Sequence, residues 1–202
     1  MTDGGPRPAL VVGIGGSTSA TSSTALLLRA ALAQAAERGA RTLAVTGEQL
    51  AVLPIYAPSD DPMAVASELI ESVRGADAVI IATPGYHGGM SGLVKNAIDH
   101  LEALREDERP YLDGRAVGLI VSASGWQACG TTLVSVRSAV HALRGWPTPF
   151  GVTVNSAQQH PMPDGSFGEP VAGALSIMVG EVLDFVAWRA AAASLATATR
   201  SS

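Results

Sequence analysis

The run Gly13-Ile-Gly-Gly-Ser-Thr-Ser-Ala-Thr-Ser-Ser-Thr24 stands between two readable segments. Before it, the apolar stretch 9–14 reads as a buried strand. After it, Ala25-Leu-Leu-Leu-Arg-Ala-Ala-Leu32 reads as a helix. A strand that turns through glycines into a helix opens a βα unit and points to a parallel sheet. The same loop suits an anion. Its glycines let backbone approach closely, its Ser and Thr side chains donate, and the first-turn N–H groups of the helix have no internal acceptor. No Lys or Arg lies in it, which suits a monophosphate held by dipoles better than a triphosphate with its metal. The plain alternative is an N-cap, Ser22 or Ser23, with no ligand at all. The run of hydroxyls behind Gly15 and Gly16 exceeds what one cap requires. Other phosphate and nucleophile motifs are missing: there is no Gly-Lys-Ser/Thr, no third glycine at position 18 after Gly13-x-Gly15, and no Gly-x-Ser-x-Gly.

Four further short apolar runs, 43–46, 78–82, 116–121 and 151–154, read as strands. They alternate with helical patterns over 23–38, 62–74, 92–104, 131–143 and 171–192. The expected fold is α/β: a five-stranded parallel sheet in an open, doubly wound three-layer sandwich, with helices on both faces. The 202 residues suit one domain, 9–193, between a flexible N-terminus, 1–8, and a frayed tail, 194–202. Segments 47–61 and 155–168 read as irregular. A formal net charge of −5 with no basic run gives no reason to expect a nucleic-acid partner. No apolar stretch reads as a membrane span, residues 1–8 do not resemble a signal peptide, and the cytoplasm is the expected location. Cys129, the single cysteine, excludes an internal disulfide and reads as small packing, not as a nucleophile. No metal site is expected.

In an open α/β sheet, ligands sit beyond the carboxyl ends of the strands, where the strand order reverses. Two more loops therefore carry weight. In Thr83-Pro-Gly-Tyr-His-Gly-Gly-Met-Ser-Gly92, residues Gly85, Gly88 and Gly89 can let backbone lie along a flat ligand. Tyr86 and His87 offer planar faces, and Ser91 is placed to cap the next helix. Taken alone, His87 reads as a solvated turn residue. In Ser122-Ala-Ser-Gly-Trp-Gln-Ala-Cys-Gly-Thr131, small residues and Trp126 suit the edge of an aromatic ligand, and a packing or subunit-contact role fits Trp126 equally well. Apolar Leu93, Val94, Ile98 and Leu101 on the helix after the second loop suggest either sheet packing or a subunit contact.

Two of these segments resemble the NADPH-dependent FMN reductase family. The family's Gly-Ser-x-Arg-x-x-Ser stands here as Gly16-Ser-Thr-Ser-Ala-Thr-Ser22. Its Thr-Pro-Glu-Tyr-x-Gly-x-x-x-Gly-x-x-Lys-Asn-x-x-Asp stands as Thr83-Pro-Gly-Tyr-His-Gly-Gly-Met-Ser-Gly-Leu-Val-Lys-Asn-Ala-Ile-Asp99. The resemblance implies a flavodoxin-like fold with strand order 2-1-3-4-5 and FMN as cofactor. It implies Gly16, Ser17, Ser19, Ser22, Ser23 and Thr24 at the phosphate. Pro84, Gly85, Tyr86, His87, Gly88 and Gly89 would lie along the ring, and Ser122, Ser124, Gly125 and Trp126 near its edge. Lys95, Asn96 and Asp99 become structural helix positions. Two departures stand out: Ser19 replaces the family's Arg, and Gly85 replaces a common Glu, leaving room beside the flavin.

The implied activity is hydride transfer from NADPH or NADH to FMN, then onward to a quinone, an azo compound, or free flavin for a monooxygenase. That chemistry belongs to the cofactor, which accounts for the lack of a catalytic triad or carboxylate pair. The alternative is a non-enzymatic, flavodoxin-like electron carrier, against which the modest acidity and few aromatics speak. The family implies a homodimer or homotetramer.

Overall fold

The computed structural model describes residues 7–58 and 61–200. Its elements, in chain order, are β1 (Leu10–Gly15), α1 (Ser23–Glu37), β2 (Arg41–Val45), α2 (Gly47–Ala51), α3 (Pro62–Gly75), β3 (Ala78–Tyr86), β4 (Gly89–Met90), α4 (Gly92–His100), β5 (Ala116–Ala123), α5 (Trp126–Ala142), β6 (Trp146–Pro147), β7 (Val152–Asn155) and α6 (Glu169–Arg200). A 3-10 turn, Leu101–Leu104, finishes α4. The parallel strands lie in the order β2-β1-β3-β5, and β6 and β7 share the far edge beside β5. This is the expected order 2-1-3-4-5 with its last strand in two pieces, plus a short hairpin strand, seven strands in all. The break falls at residues 148–151, where Pro149 has no N–H to give a ladder.

Alternation in the strands builds two different cores. Val12, Ile14, Val79, Ile81, Val117 and Leu119 face α3, α4 and α5. The other face carries Val11, Ala78, Ile80, Ala82, Ala116 and Ile120 under α1 and α6. This second face is lined by small residues, so its helices come close. A Cβ at Gly13 would lie 2.8 Å from Leu32, and one at Gly118 would lie 2.9 Å from Met178. α1 buries Thr24, Leu27, Leu28, Ala31, Leu32 and Ala35, the spacing of one helical face. It ends in a Schellman turn: Gly39 takes φ +88°, and the Ala40 N–H donates to the Ala35 carbonyl.

Several boundaries differ from the sequence expectation. α2 falls within 47–61; one turn and a half is too short to show periodicity, although its capping box, Thr46 with Gln49, is a readable signal. α5 starts five residues earlier than position 131, because Gly125 is its N-cap and Gly130 lies inside it. β3 runs on to Tyr86 instead of stopping at 82. α6 continues through 194–200, where a frayed tail was expected; Ala190–Ala193, Ala196 and Ala198 are strong helix formers. The expected flexible N-terminus lies mostly outside the described residues. α6 is also, from Glu169 to Ala196, long and apolar enough to cross a membrane by length and composition. The sequence reading missed this because isolated charges interrupt the apolar run. Its first half is a core helix: Val171, Leu175, Met178, Val179 and Val182 are buried on the sheet.

Candidate functional site

Every parallel strand points its carboxyl end the same way, and the order reverses between β1 and β3. The loops after β1, β3 and β5 therefore meet at one edge. The Gly16 N–H donates to the Ala82 carbonyl at 2.8 Å, tying the first loop to β3. Side chains have no room there: a Cβ on Gly16 would lie 2.6 Å from Val94 Cγ2, and one on Gly47 would lie 1.9 Å from the Ser17 carbonyl oxygen. The start of α2 thus presses against the first loop from the other side.

Ser22 is the N-cap of α1, its Oγ accepting from the Ala25 N–H at 3.2 Å. The plain capping role holds, and it leaves the Ser23 and Thr24 amides at the open end of the helix. Ser17, Ser22 and Ser23 are half-buried, Thr24 is buried, and Ser19 is exposed with its Oγ 3.3 Å from Thr21 Oγ1. Among the described residues a cation, Arg29, reaches this loop. Arg29, two turns into α1, donates from Nη2 to the Ala20 carbonyl at 2.7 Å. It also lines a pocket of about 150 Å³ with Ser17, Ala20, Thr46, Gly47 and Glu48. The sequence reading looked for charge within the loop; Arg29 lies seven residues past the cap, on the helix face that folds back to it.

The second loop is mostly not a loop. Pro84, Gly85 and Tyr86 belong to β3, which pairs antiparallel with β4 through Gly85↔Met90 and Tyr86↔Gly89. His87 (φ +52°) and Gly88 (φ +85°) form the two-residue link, the pair of positive φ values of a type I′ hairpin turn. The hairpin is anchored at its base: the Ser91 N–H donates to Thr83 Oγ1 at 2.9 Å, and Ser91 Oγ caps α4 by accepting from the Val94 N–H. The expected room at Gly85 is absent, because a Cβ there would lie 2.9 Å from Thr132 Oγ1 and 3.0 Å from Ala123 Cβ. The first turns of α5 fill it. Tyr86 is 59% exposed, and Cβ positions at Gly88 and Gly89 meet nothing within 4 Å.

In the third segment, Ser122 is buried in β5 opposite Pro84, so these two form floor, not rim. Ser124 is exposed, and Gly125 caps α5 without a side-chain acceptor. A second helix N-terminus therefore opens at this edge with free amides. Trp126 begins α5, is 51% exposed, and donates from its indole to Gln158 Oε1 at 3.1 Å. Cys129 is buried, its thiol donating to the Val154 carbonyl at 3.4 Å. Burial pushes its pKa up, as a packing residue requires.

On α4, Lys95 and Asp99 pair at 2.7 Å along the helix surface. Asn96 accepts from the Tyr56 N–H and donates to the Pro54 carbonyl. Buried His100 contacts the same carbonyl through Nε2 at 3.0 Å and lies edge-on to Tyr56. These contacts fasten segment 54–56, which no sequence signal foretold. Val94, Ile98 and Leu101 are core residues and Leu93 packs on that core, so they give no support to a subunit contact. Among the described residues no group of three or more His, Cys, Asp or Glu is placed to hold a metal.

The edge thus offers hydroxyls, glycine backbone and two open helix N-termini, a donor set suited to one phosphate beside a flat polar ring. The model of the NADPH-dependent FMN reductase family matches residues 9–160. An FMN-dependent NADPH-azoreductase of Staphylococcus aureus (strain USA300) is 34% identical over 100 residues, 50% of each chain. The chain spans about half the length of the relatives it matches in this way. RosB, solved with 8-demethyl-8-formylriboflavin-5'-phosphate, superposes with a TM-score of 0.71 at 15% identity, over 96% of this chain and 87% of that one. A flavodoxin, WrbA-like protein from Agrobacterium tumefaciens superposes with a TM-score of 0.59 at 16% identity, over 91% and 99%. The fold is flavodoxin-like, and the chain belongs to the NADPH-dependent FMN reductase family.

Proposed function

We propose that the chain is a flavin-dependent NAD(P)H oxidoreductase that holds FMN at the carboxyl edge of its sheet. The observation that carries this reading is the meeting, at the reversal of strand order, of the α1 N-terminus with the β3–β4 hairpin and the open N-terminus of α5. Bound there, FMN would accept a hydride from NADPH or NADH and deliver reducing equivalents to an acceptor.

The chain's own residues bind and orient. Ser17 and Ser22 hydroxyls with the Ser23 and Thr24 amides would hold the phosphate, with Arg29 as the nearby positive charge. The hairpin, Gly85 to Gly89, presents backbone to the ring. The α5 amides behind Gly125 favour negative charge developing at the ring edge. Tyr86 and Trp126 flank the edge, with Ser124 beside them. The acceptor is a small molecule such as an azo compound or a quinone, or free flavin passed to a monooxygenase. The cytoplasm, where reduced nicotinamide is made, is the fitting location.

Purified protein is mixed with FMN and NADPH, or NADH, and absorbance is followed at the nicotinamide band. Sustained oxidation above the protein-free control supports the enzyme. Bound flavin without turnover would make the chain an electron carrier. No binding in equilibrium dialysis at millimolar FMN would overturn both.

A further inference from the structure

Two exposed tryptophans lie away from the flavin edge, and both belong to one cavity. β6 pairs with Ala116 and Val117, the first residues of β5, so it sits where the strands begin. Trp146 on β6 is 59% exposed, and Trp188 on α6 is 69% exposed. With Phe185 they wall a cavity of about 470 Å³, the size of a small-molecule site. The Trp146 and Phe185 rings lie 5.5 Å apart, centroid to centroid, tilted by 40°. Glu181 and Asp184 line the same cavity. Positions 181, 184, 185 and 188 follow three- and four-residue spacing, so one face of α6 supplies both the carboxylates and two of the rings.

The opposite wall is the break in the last strand, and it is held from both sides. Arg137 of α5 donates to the Thr148 and Pro149 carbonyls, each at 2.8 Å. Glu181 Oε2 accepts from the Phe150 N–H at 2.8 Å, and Thr148 Oγ1 donates to the Phe150 carbonyl at 2.8 Å. Pro147 and Pro149 fix their own φ. A wall ordered in advance leaves little entropy to lose when a ligand enters. The charge is one-sided. Among the described residues no Lys, Arg or His lines the cavity. Arg189, next along α6 after Trp188, turns instead into a separate cavity with Asp77 and Gly114. The Arg137 guanidinium is engaged by the two carbonyls of the strand break.

We propose that this cavity binds a small organic cation, an alkylated ammonium group carried on an apolar or aromatic body. Aromatic faces are negative and attract such a group, which needs no hydrogen-bond acceptor. Trp146, Phe185 and Trp188 take the alkylated head and the body, and Glu181 and Asp184 balance the charge. An anion would meet both carboxylates. A bare metal ion would find two carboxylates among rings, too few oxygens to replace its water. A zwitterionic lipid headgroup would bring its phosphate against the same carboxylates, so the occupant is a free molecule. The cavity lies at the amino ends of the strands, away from the proposed flavin site, and stands independently of that reading.

Isothermal titration of the full chain at low salt tests it, with benzyltrimethylammonium as the probe. Benzyl alcohol and phenylmethanesulfonate carry the same ring without the charge or with the opposite one. The ammonium is expected to bind once per chain, roughly tenfold tighter than either control. Trp188→Leu and Asp184→Asn, both at exposed positions, should each weaken it about fivefold, and added salt should weaken it further. Neither variant should change FMN affinity. Equal affinity for either control, ammonium binding that both variants leave unchanged, or no saturable binding at millimolar probe overturns the proposal. So does wild-type protein that floats with phosphatidylcholine vesicles while Trp188→Leu does not, which would assign the cavity to a lipid headgroup.

Discussion

Where β1, β3 and β5 begin, arginines meet carbonyls; where they end, amides and hydroxyls stand open. At the first edge Arg7 grips Asp77 with two bonds of 2.8 Å, and Arg74 bonds Asp107 at 2.7 Å. Arg115 there is 1% exposed and donates to the carbonyls of Arg74, Ala76, Arg109, Tyr111 and Asp113. At the second edge Ser22, Ser91 and Gly125 cap helices, and Arg29 bonds the Ala20 carbonyl of the first loop. One physical fact produces both. Helices that connect parallel strands run back against them, so their carbonyl ends gather at one edge and their amide ends at the other. The carbonyl edge is closed by the chain's own guanidinium groups. The amide edge is where we place the phosphate of FMN.

The largest expected effect breaks the closed edge. Burial pulls the Arg115 pKa down to about 10, which still leaves the guanidinium charged at neutral pH. Arg115→Met strands the Arg74 and Ala76 carbonyls at the end of α3 and those of Arg109, Tyr111 and Asp113, and should cost about 3–5 kcal/mol, as removal of one member of a buried charged network does. Urea unfolding measures the loss, and flavin affinity of the folded protein should not change. A cost under about 1 kcal/mol would show that water serves those carbonyls equally well.

The next effect breaks the open edge. Gly47→Ala places a methyl group where the Ser17 carbonyl lies, so the first loop or α2 must move. Overpacking of this kind costs about 1–3 kcal/mol. If the strain falls on the loop, FMN affinity drops roughly 10- to 100-fold. A flavin titration with wild-type affinity would mean either that α2 takes the strain or that the loop has no part in binding.

This contrast also marks what the sequence could reveal. The strand–loop–helix punctuation of 9–32 and the Val/Ile runs express local rules, and they give the parallel sheet and its alternating helices; the strand order came from the family resemblance. The hairpin at His87–Gly88 was hidden because His is not a residue that announces positive φ, whereas Asn-Gly would have done so. Residues 122–131, with Gly125 and Gly130, read as a loop, although Gly125 caps α5 and Gly130 lies inside it. Arg29 and Arg115 could not be placed, because each acts on carbonyls that only the tertiary fold brings near. The grip of Asn96 and His100 on Pro54 joins residues 42 and 46 apart, a separation at which periodicity says nothing.

A smaller effect sharpens the comparison by moving charge into the open edge. Ser19→Arg restores the family's cation at an exposed position and should tighten FMN about fivefold, the scale of one surface charge pair near 1 kcal/mol. Arg29→Met should weaken it by a similar factor. Both changes should shrink as salt is raised, because screening removes the interaction of exposed charges. Unchanged affinity in either variant would mean that hydroxyls and helix amides suffice for the phosphate.

The smallest effect concerns His87, where backbone and side chain make different demands. Positive φ costs a β-carbon residue about 1–2 kcal/mol, and glycine escapes that cost but loses about 0.5–1 kcal/mol more chain entropy on folding. His87→Gly should therefore stabilise the protein by about 0.5 kcal/mol, read from the urea midpoint at unchanged slope. Since the imidazole is exposed at the turn and the proposed contact with the ring is through the hairpin's backbone, flavin affinity should stay the same. If His87→Gly stabilises the fold but weakens flavin, the strained histidine is there for its ring, and the open edge has a side-chain contact besides its backbone.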